Sequence, residues 1–420
     1  MANSNRIQQM EYEIIRLSNG IRVVLYPQTT PITHTCLIVN AGSRDEEEGK
    51  FGVAHFIEHL LFKQTERRST NQILNRLEAV GGDLNAYTTK EYTCIHASIL
   101  NPYLSRALDL FEDLIFHSTF PEVEMEKEKG VIQDEIASYL DSPEDAIIDD
   151  FEDLMFAGSG LGHNILGIED QLVRLNREDI SQFIQRNYST HEIVIGITGD
   201  YTRISVERMV ERLFGNIAPS AGVRQRRGLY TESTQHLESA KPINQVHYML
   251  GRQAYSIRDE RKTGLLLLNN MLGGLGMSSI LNLSIREKHG IAYTIESNYS
   301  MFSDTGIFSI YLGTDEEKIK KAKSLVFKEL YRLRDRRLSA GQLQKSKDKF
   351  KGQIALAEEN RMSMIIAVAK NVLDYDRVVP LEEVFYKIDQ VTLLEAQEIC
   401  ADIFDPDKMC SLSFIPEEES

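Results

Sequence analysis

The order of local patterns between residues 34 and 116 recurs between residues 245 and 333, and that repetition restricts the fold more than any other feature of the chain. A β-rich run at His34 to Asn40 has its counterpart at Gln245 to Leu250. Each is followed by helical sequence and a glycine pair, Gly81-Gly82 in the first copy and Gly273-Gly274 in the second. Asn85-Ala86-Tyr87-Thr88 is then echoed by Gly290-Ile291-Ala292-Tyr293-Thr294. Next, Ile95 to Leu100 precedes an amphipathic helix as Phe308 to Leu312 precedes Asp315 to Leu333. Neither copy shows strict strand–helix–strand alternation. The expected class is therefore α+β: two similar α/β-sandwich halves, each an antiparallel-rich sheet packed with helices, related by internal duplication.

The junction is visible in composition. Pro219-Ser220-Ala221-Gly222, with Arg224, Arg226 and Arg227 close behind, interrupts an acidic sequence and reads as a linker. The spacing predicts a first domain over 1–220, a linker over 221–227 and a second domain over 228–420. Within the first, Ser18-Asn19-Gly20 turns one strand into Ile21 to Tyr26. Helices are expected over 52–63, 69–79 and 104–116, a long β pattern over 83–100, and an acidic helix after Pro121. An apolar strand follows over Ile193 to Thr198.

The formal charge of −16, with no basic stripe, argues against a nucleic-acid partner. The four cysteines form no CxxC pair and suit a reducing compartment. The sequence up to Pro27 has no charged-then-apolar leader and carries Glu11 and Glu13, unlike an organelle transit peptide. The apolar run at Leu265 to Leu268 is far too short to span a bilayer. A cytoplasmic protein without a membrane partner is expected.

His55-Phe56-Ile57-Glu58-His59 carries the chemistry. On a helix, residues four apart lie one turn away on the same face, so both imidazoles can reach one ion. Glu58, one step before His59, falls beside them. This is the inverted order of a two-histidine zinc motif with an interposed general base. Catalytic zinc takes three protein ligands, so one more must come from elsewhere. The helix pattern from Glu124 to Ile136 places Glu128 and Glu135 two turns apart on one face, and Val131, Ile132 and Ile136 turn that region toward a core. Two inward carboxylates require a cation or hydrogen-bond partners; Asp134, about 100° round the helix, is less suited. The other histidines (34, 96, 117, 163, 191, 236, 247 and 289) lack ligand spacing and are expected to be structural.

With these residues in view, the chain resembles the pitrilysin-type inverted zincins, most closely the short two-domain mitochondrial processing peptidase and its bacterial relatives. The likeness runs over nearly the whole chain, including Leu17-Ser18-Asn19-Gly20, Gly81-Gly82, Leu272-Gly273-Gly274 and Ser278-Ser279. The resemblance implies His55, His59 and Glu135 as ligands of one zinc per chain, Glu58 as the base, and Glu128 as an outer carboxylate that orients a ligand. It also implies that Arg286 and Tyr293, seven apart in the second half, stabilise the oxyanion of the attacked carbonyl. Asn85, Ala86, Tyr87 and Thr88 would form a sheet edge to which substrate adds as a strand.

The function that follows is zinc-dependent endopeptidase activity on peptides or small unfolded polypeptides in an enclosed chamber. Zinc would acidify water toward a pKa of about 7 and polarise the carbonyl, with Glu58 moving the proton. In some family members the zinc motif and the Arg/Tyr pair lie on separate chains. This chain has both, which points to a self-sufficient homodimer. The long glycine-rich loop of the processing peptidase's non-catalytic subunit is replaced by Gly273-Gly274-Leu275-Gly276, so presequence processing is not expected. The alternatives are a catalytically silent peptide-binding scaffold of the same fold and a zinc hydrolase acting on other amides.

Overall fold

The computed structural model describes residues 12–222, 226 and 234–417. Of the expected linker over 221–227, only 221, 222 and 226 fall among them; the rest lies outside the described residues.

Along the chain, strands β1 (Glu13–Arg16), β2 (Arg22–Pro27) and β3 (Ile32–Val39) come first, then helices α1 (Val53–Leu61) and α2 (Thr70–Glu78). Strands β4 (Asp83–Thr88) and β5 (Thr93–Leu100) precede α3 (Leu104–His117), α4 (Glu122–Leu140), α5 (Pro143–Met155), α6 (Glu169–Leu172) and α7 (Arg177–Asn187). Strand β6 (Ile193–Gly199) and α8 (Arg203–Phe214) close the first half. The second contains β7 (His236–Lys241), β8 (Val246–Ala254), α9 (Lys262–Gly273), a π-helical stretch Asn282–Glu287, β9 (Ala292–Met301) and β10 (Gly306–Thr314). Helices α10 (Glu316–Asp335), α11 (Ala340–Ala357), α12 (Arg361–Tyr375), α13 (Leu381–Gln390) and α14 (Leu393–Ile403) lead to the last strand, β11 (Cys410–Pro416). The single β pattern expected over 83–100 is two strands, because Thr89 closes a tight turn with Tyr92, donating its amide to the Tyr92 carbonyl.

Two sheets result. One runs β1-β2-β6-β3-β5-β4, the other β7-β11-β8-β10-β9. Apart from β1, they correspond strand for strand. In each, the pair β2–β6 or β7–β11 is parallel and every other pairing is antiparallel. A shared order with the parallel pair in the same place is what a duplicated unit produces.

The two compact units are not contiguous in sequence. One holds the described residues of Met1–Gln133, Ile165–Gln225 and Ala357–Leu381, the other those of Asp134–Asn164, Arg226–Leu356 and Glu382–Ser420. Each unit thus draws on three stretches of the sequence rather than one. Each half also sends one helix to the other's sheet. Helix α12 buries Ile365, Ala369 and Val372 against Val24, Cys36, Ile38 and Val194. Helix α5 buries Ile147, Phe151 and Met155 against Met249, Ile307, Leu412 and Phe414. Apolar stripes of this kind must be covered, and the sheets need a helix on the face that their own halves leave open.

The fit of α12 is close. A Cβ on Gly196 would lie 2.8 Å from Cys36 Sγ and 3.0 Å from Ile365 Cγ1. On its other face the second sheet packs Phe308, Ile310 and Leu312 against apolar residues of α9, α10 and α14, among them Leu268, Val326 and Ile399. Coverage on both faces explains why β6 and β10 are buried along their whole length. All four cysteines are free and buried, and among the described residues no helix is long and apolar enough to cross a membrane.

Candidate metal centre

Helix α1 is fixed at its start by a residue that does not belong to the motif. The carboxylate of Glu46, 9% exposed, accepts from the Gly52 amide through Oε2 and from the Ala54 amide through Oε1, both at 2.8 Å. Those amides are among the donors that a helix N-terminus leaves unmet, and the negative charge suits the positive end of its dipole. Gly52 has φ +94°, and a side chain there would meet the Leu166 carbonyl at 2.7 Å. The loop before the helix is locked in turn: Ser43 and Arg44 donate their amides to Thr89 and Lys90, and the buried Arg44 guanidinium pairs with Glu91 at 2.6 Å. The start of α1 is thereby tied to the turn that joins β4 to β5.

Helix α4 is held at three points. Arg177 Nε donates to the Phe120 carbonyl just before it, the buried Lys129 donates to the Val173 carbonyl, and Gln133 Nε2 donates to Glu169. Met125 and Ile132 supply its apolar anchorage. The division between the units falls at Gln133, yet α4 runs unbroken to Leu140, so the position of Glu135 follows from the rest of the helix.

His55, His59 and Glu135 each offer one ligand atom, and these atoms all lie within 4.8 Å of one another. The two rings sit 4.6 Å apart between centroids and nearly perpendicular. Two imidazole nitrogens and a carboxylate oxygen are a donor set that zinc accepts. His55 is buried, and burial, with His59 beside it, lowers its pKa to about 4, so it stands neutral at pH 7 and able to ligate. His59 Nδ1 lies 3.1 Å from Glu128 Oε2, a contact that fixes the ring and leaves Nε2 available as the ligating nitrogen. The other Glu128 oxygen receives Lys63 Nζ at 2.7 Å, so this buried carboxylate serves a ligand and a cation together.

The expectation that both carboxylates of α4 face a core holds for Glu128 alone. Glu135 and Val131 are exposed, because beyond Ile132 the helix leaves the packing that buries its first half. Exposure spares the Glu135 carboxylate a burial cost. Asp134 is exposed as well and belongs to no such group among the described residues.

Glu58 is half-buried beside the ligands and accepts a hydrogen bond from Thr88 Oγ1 at 2.9 Å. Thr88 ends β4, the last strand of its sheet, so Asn85, Ala86, Tyr87 and Thr88 lie along a sheet edge. The buried Tyr188 phenol has its pKa raised, first by burial and further by the charge of Glu58, and stays protonated there.

In the other unit, Arg286 is exposed on the π-helical stretch and Tyr293 is exposed at the start of β9. The Tyr293 hydroxyl donates to Asp315, at 3.1 Å to Oδ1, and Lys318 lies over its ring. Sequence reasoning did not find Glu46, Lys63, Arg44, Glu91 or Tyr188. A carboxylate six residues ahead of a glycine N-cap was the only local sign of the first, and the others meet the site only through tertiary contacts.

The chain is similar to known proteins over most of its length. The model of the insulinase family (peptidase family M16) matches residues 22–169, and that of the peptidase M16 inactive domain matches residues 174–350. YmxG of Bacillus subtilis, named an uncharacterized zinc protease, is 32% identical over 399 residues, covering 94% of this chain and 96% of its own. An uncharacterized zinc protease of Streptomyces coelicolor is 30% identical over 401 residues, covering 92% of this chain and 86% of its own. Among solved structures, a protease from Helicobacter pylori superposes with a TM-score of 0.89 at 20% identity, over 97% of this chain and 100% of its own. A Pseudomonas fluorescens structure described as a peptidase M16 inactive domain gives 0.88 at 19%, over 97% and 99%. At such identities these two speak for the fold.

Proposed function

The chain belongs to the insulinase family of peptidases, family M16, and on that premise we propose that it is a zinc endopeptidase cutting peptides or small unfolded polypeptides. The observation that carries this reading is the convergence of His55, His59 and Glu135 on one point, with Glu58 held beside them by the edge strand.

Zinc bound there supplies Lewis acidity, which makes water acidic enough to attack near neutral pH and polarises the scissile carbonyl. The protein does the rest. Glu128 holds the His59 ring in its ligating orientation, and Glu58 takes the proton of the attacking water and returns it to the leaving amine. Thr88 keeps the Glu58 carboxylate at the end of β4. The free side of β4 takes the substrate as an added strand, binding main chain rather than side chains and so tolerating varied sequence. Arg286 and Tyr293 would donate to the oxyanion, a role that requires Tyr293 to exchange Asp315 for substrate. One zinc per chain, a homodimer around an enclosed chamber and a cytoplasmic location complete the proposal. The sequence supports the first two of these points through its single zinc motif and its joint possession of both residue sets.

The test is mass-spectrometric mapping of cuts in a diverse peptide mixture, with and without a chelator, for the parent and for Glu58→Gln. Chelator-sensitive cutting is expected, with Glu58→Gln retaining zinc while turnover falls at least about a hundredfold. Undiminished turnover in the variant removes Glu58 as base. The engagement of Tyr293 by Asp315 favours the second reading, a silent peptide-binding scaffold, and zinc content with no cleavage of any peptide would establish it. Cleavage of small amides but not peptides would make it a hydrolase of another class.

A further inference from the structure

A groove of about 460 Å³ opens in the second unit where the end of α10 meets the first turns of α11. Its charge is at odds with the chain. Acidic residues outnumber basic ones 63 to 47 overall, yet this wall carries Arg332, Arg336, Arg337 and Lys345 and, among the described residues, no acidic side chain. Among the described residues, only Arg332 has a carboxylate partner there, Glu329 one turn back at 2.6 Å. Four cations this close repel one another and are stabilised by a multiply charged anion. The N-terminal end of α11 adds to the positive potential. Its capping bonds, Ser339 N–H to Gln342 Oε1 and Gln342 N–H to Ser339 Oγ, meet only some of its free donors. The floor is of another kind: Met271 and Ile280 present apolar surface to the same space. A volume in the range of small-molecule sites, with an apolar floor and convergent donors on one wall, describes a ligand pocket and not merely a solvated charged face.

We infer that this groove binds a small organic phosphate, with its doubly charged group on Arg336, Arg337 and Lys345 and an apolar portion over Met271 and Ile280. Guanidinium forks match phosphate oxygens in pairs, which favours phosphate over a simple carboxylate. The site lies apart from the zinc ligands in sequence, and its occupancy needs no peptide cleavage.

The test is calorimetric titration of the full zinc-loaded chain with naphthyl phosphate, inorganic phosphate and naphthol. Naphthyl phosphate is expected to bind at or below millimolar concentration, and both other probes at least about tenfold more weakly. The triple substitution Arg336→Ala, Arg337→Ala, Lys345→Ala is expected to weaken it about tenfold or more. A charge-matched control on α8, Arg203→Ala, Arg208→Ala, Arg212→Ala, should leave binding unchanged; circular dichroism of both variants verifies that they fold. Binding unaltered by the groove substitutions, or weakened equally by the control, overturns the inference. So does naphthol or inorganic phosphate binding as tightly as naphthyl phosphate, or no binding of naphthyl phosphate at millimolar concentration.

Discussion

Replacing Glu46 by alanine tests how the metal helix is held. The carboxylate accepts two backbone amides of α1 at 2.8 Å and is nearly shielded from water. Hydrogen bonds to a charged group are worth about 1.5–3 kcal/mol each, so two come to about 3–6 kcal/mol. Water admitted to the vacated space returns part of that, and the expected loss of stability is about 2–3 kcal/mol. Glu46→Gln keeps one acceptor and turns an amide donor toward the second N–H, so about half the effect is expected. Because α1 carries His55 and His59, loosening its start also spreads the ligand positions, and zinc affinity should fall about tenfold. Urea denaturation followed by circular dichroism reads the first quantity, and competition with a chromophoric chelator reads the second. A stability change in Glu46→Ala below about 0.5 kcal/mol, together with unchanged zinc affinity, would refute the reasoning.

Glu128→Gln leaves His59 a neutral partner and Lys63 no counter-charge, and zinc affinity is expected to fall about 10–100-fold in the same chelator assay. Gly196→Ala drives a methyl group into Cys36 and Ile365 where α12 meets the first sheet, and should cost about 1–3 kcal/mol in denaturant titration. The chelator-treated chain should lose stability as pH falls from 6.5 to about 4. In that window the unfolded His55 takes up a proton that the buried ring refuses, a difference worth up to about 3 kcal/mol. The loss is read as the difference between the parent and His55→Asn, whose curve should lack it.

The zinc motif was legible because its geometry is local: two histidines four apart on a helix share a face whatever surrounds them. The recurrence of the same elements in the second half was legible through its echo of the first, and so was the edge position of β4 through the family likeness. The exchange of α5 and α12 was not. An apolar stripe announces that a helix packs, not which sheet receives it, and Ile365 finds Cys36 across more than three hundred residues. The exposure of Glu135 escaped for a similar reason. The pattern Val131, Ile132, Ile136 suggests a buried face, and only the tertiary position of α4 shows that the packing ends near Ile132. Helices α11 to α14 and the final strand carried no chemistry-bearing motif to draw attention to them.

The claim beneath all of this is that α1 and α4 grip one ion between them. Anomalous diffraction at the zinc edge from crystals of the zinc-loaded chain tests it most directly. The account predicts a single strong peak about 2.0–2.2 Å from one nitrogen each of His55 and His59 and from a carboxylate oxygen of Glu135. A peak held by other residues, or none at this place in a protein that retains zinc, would contradict it.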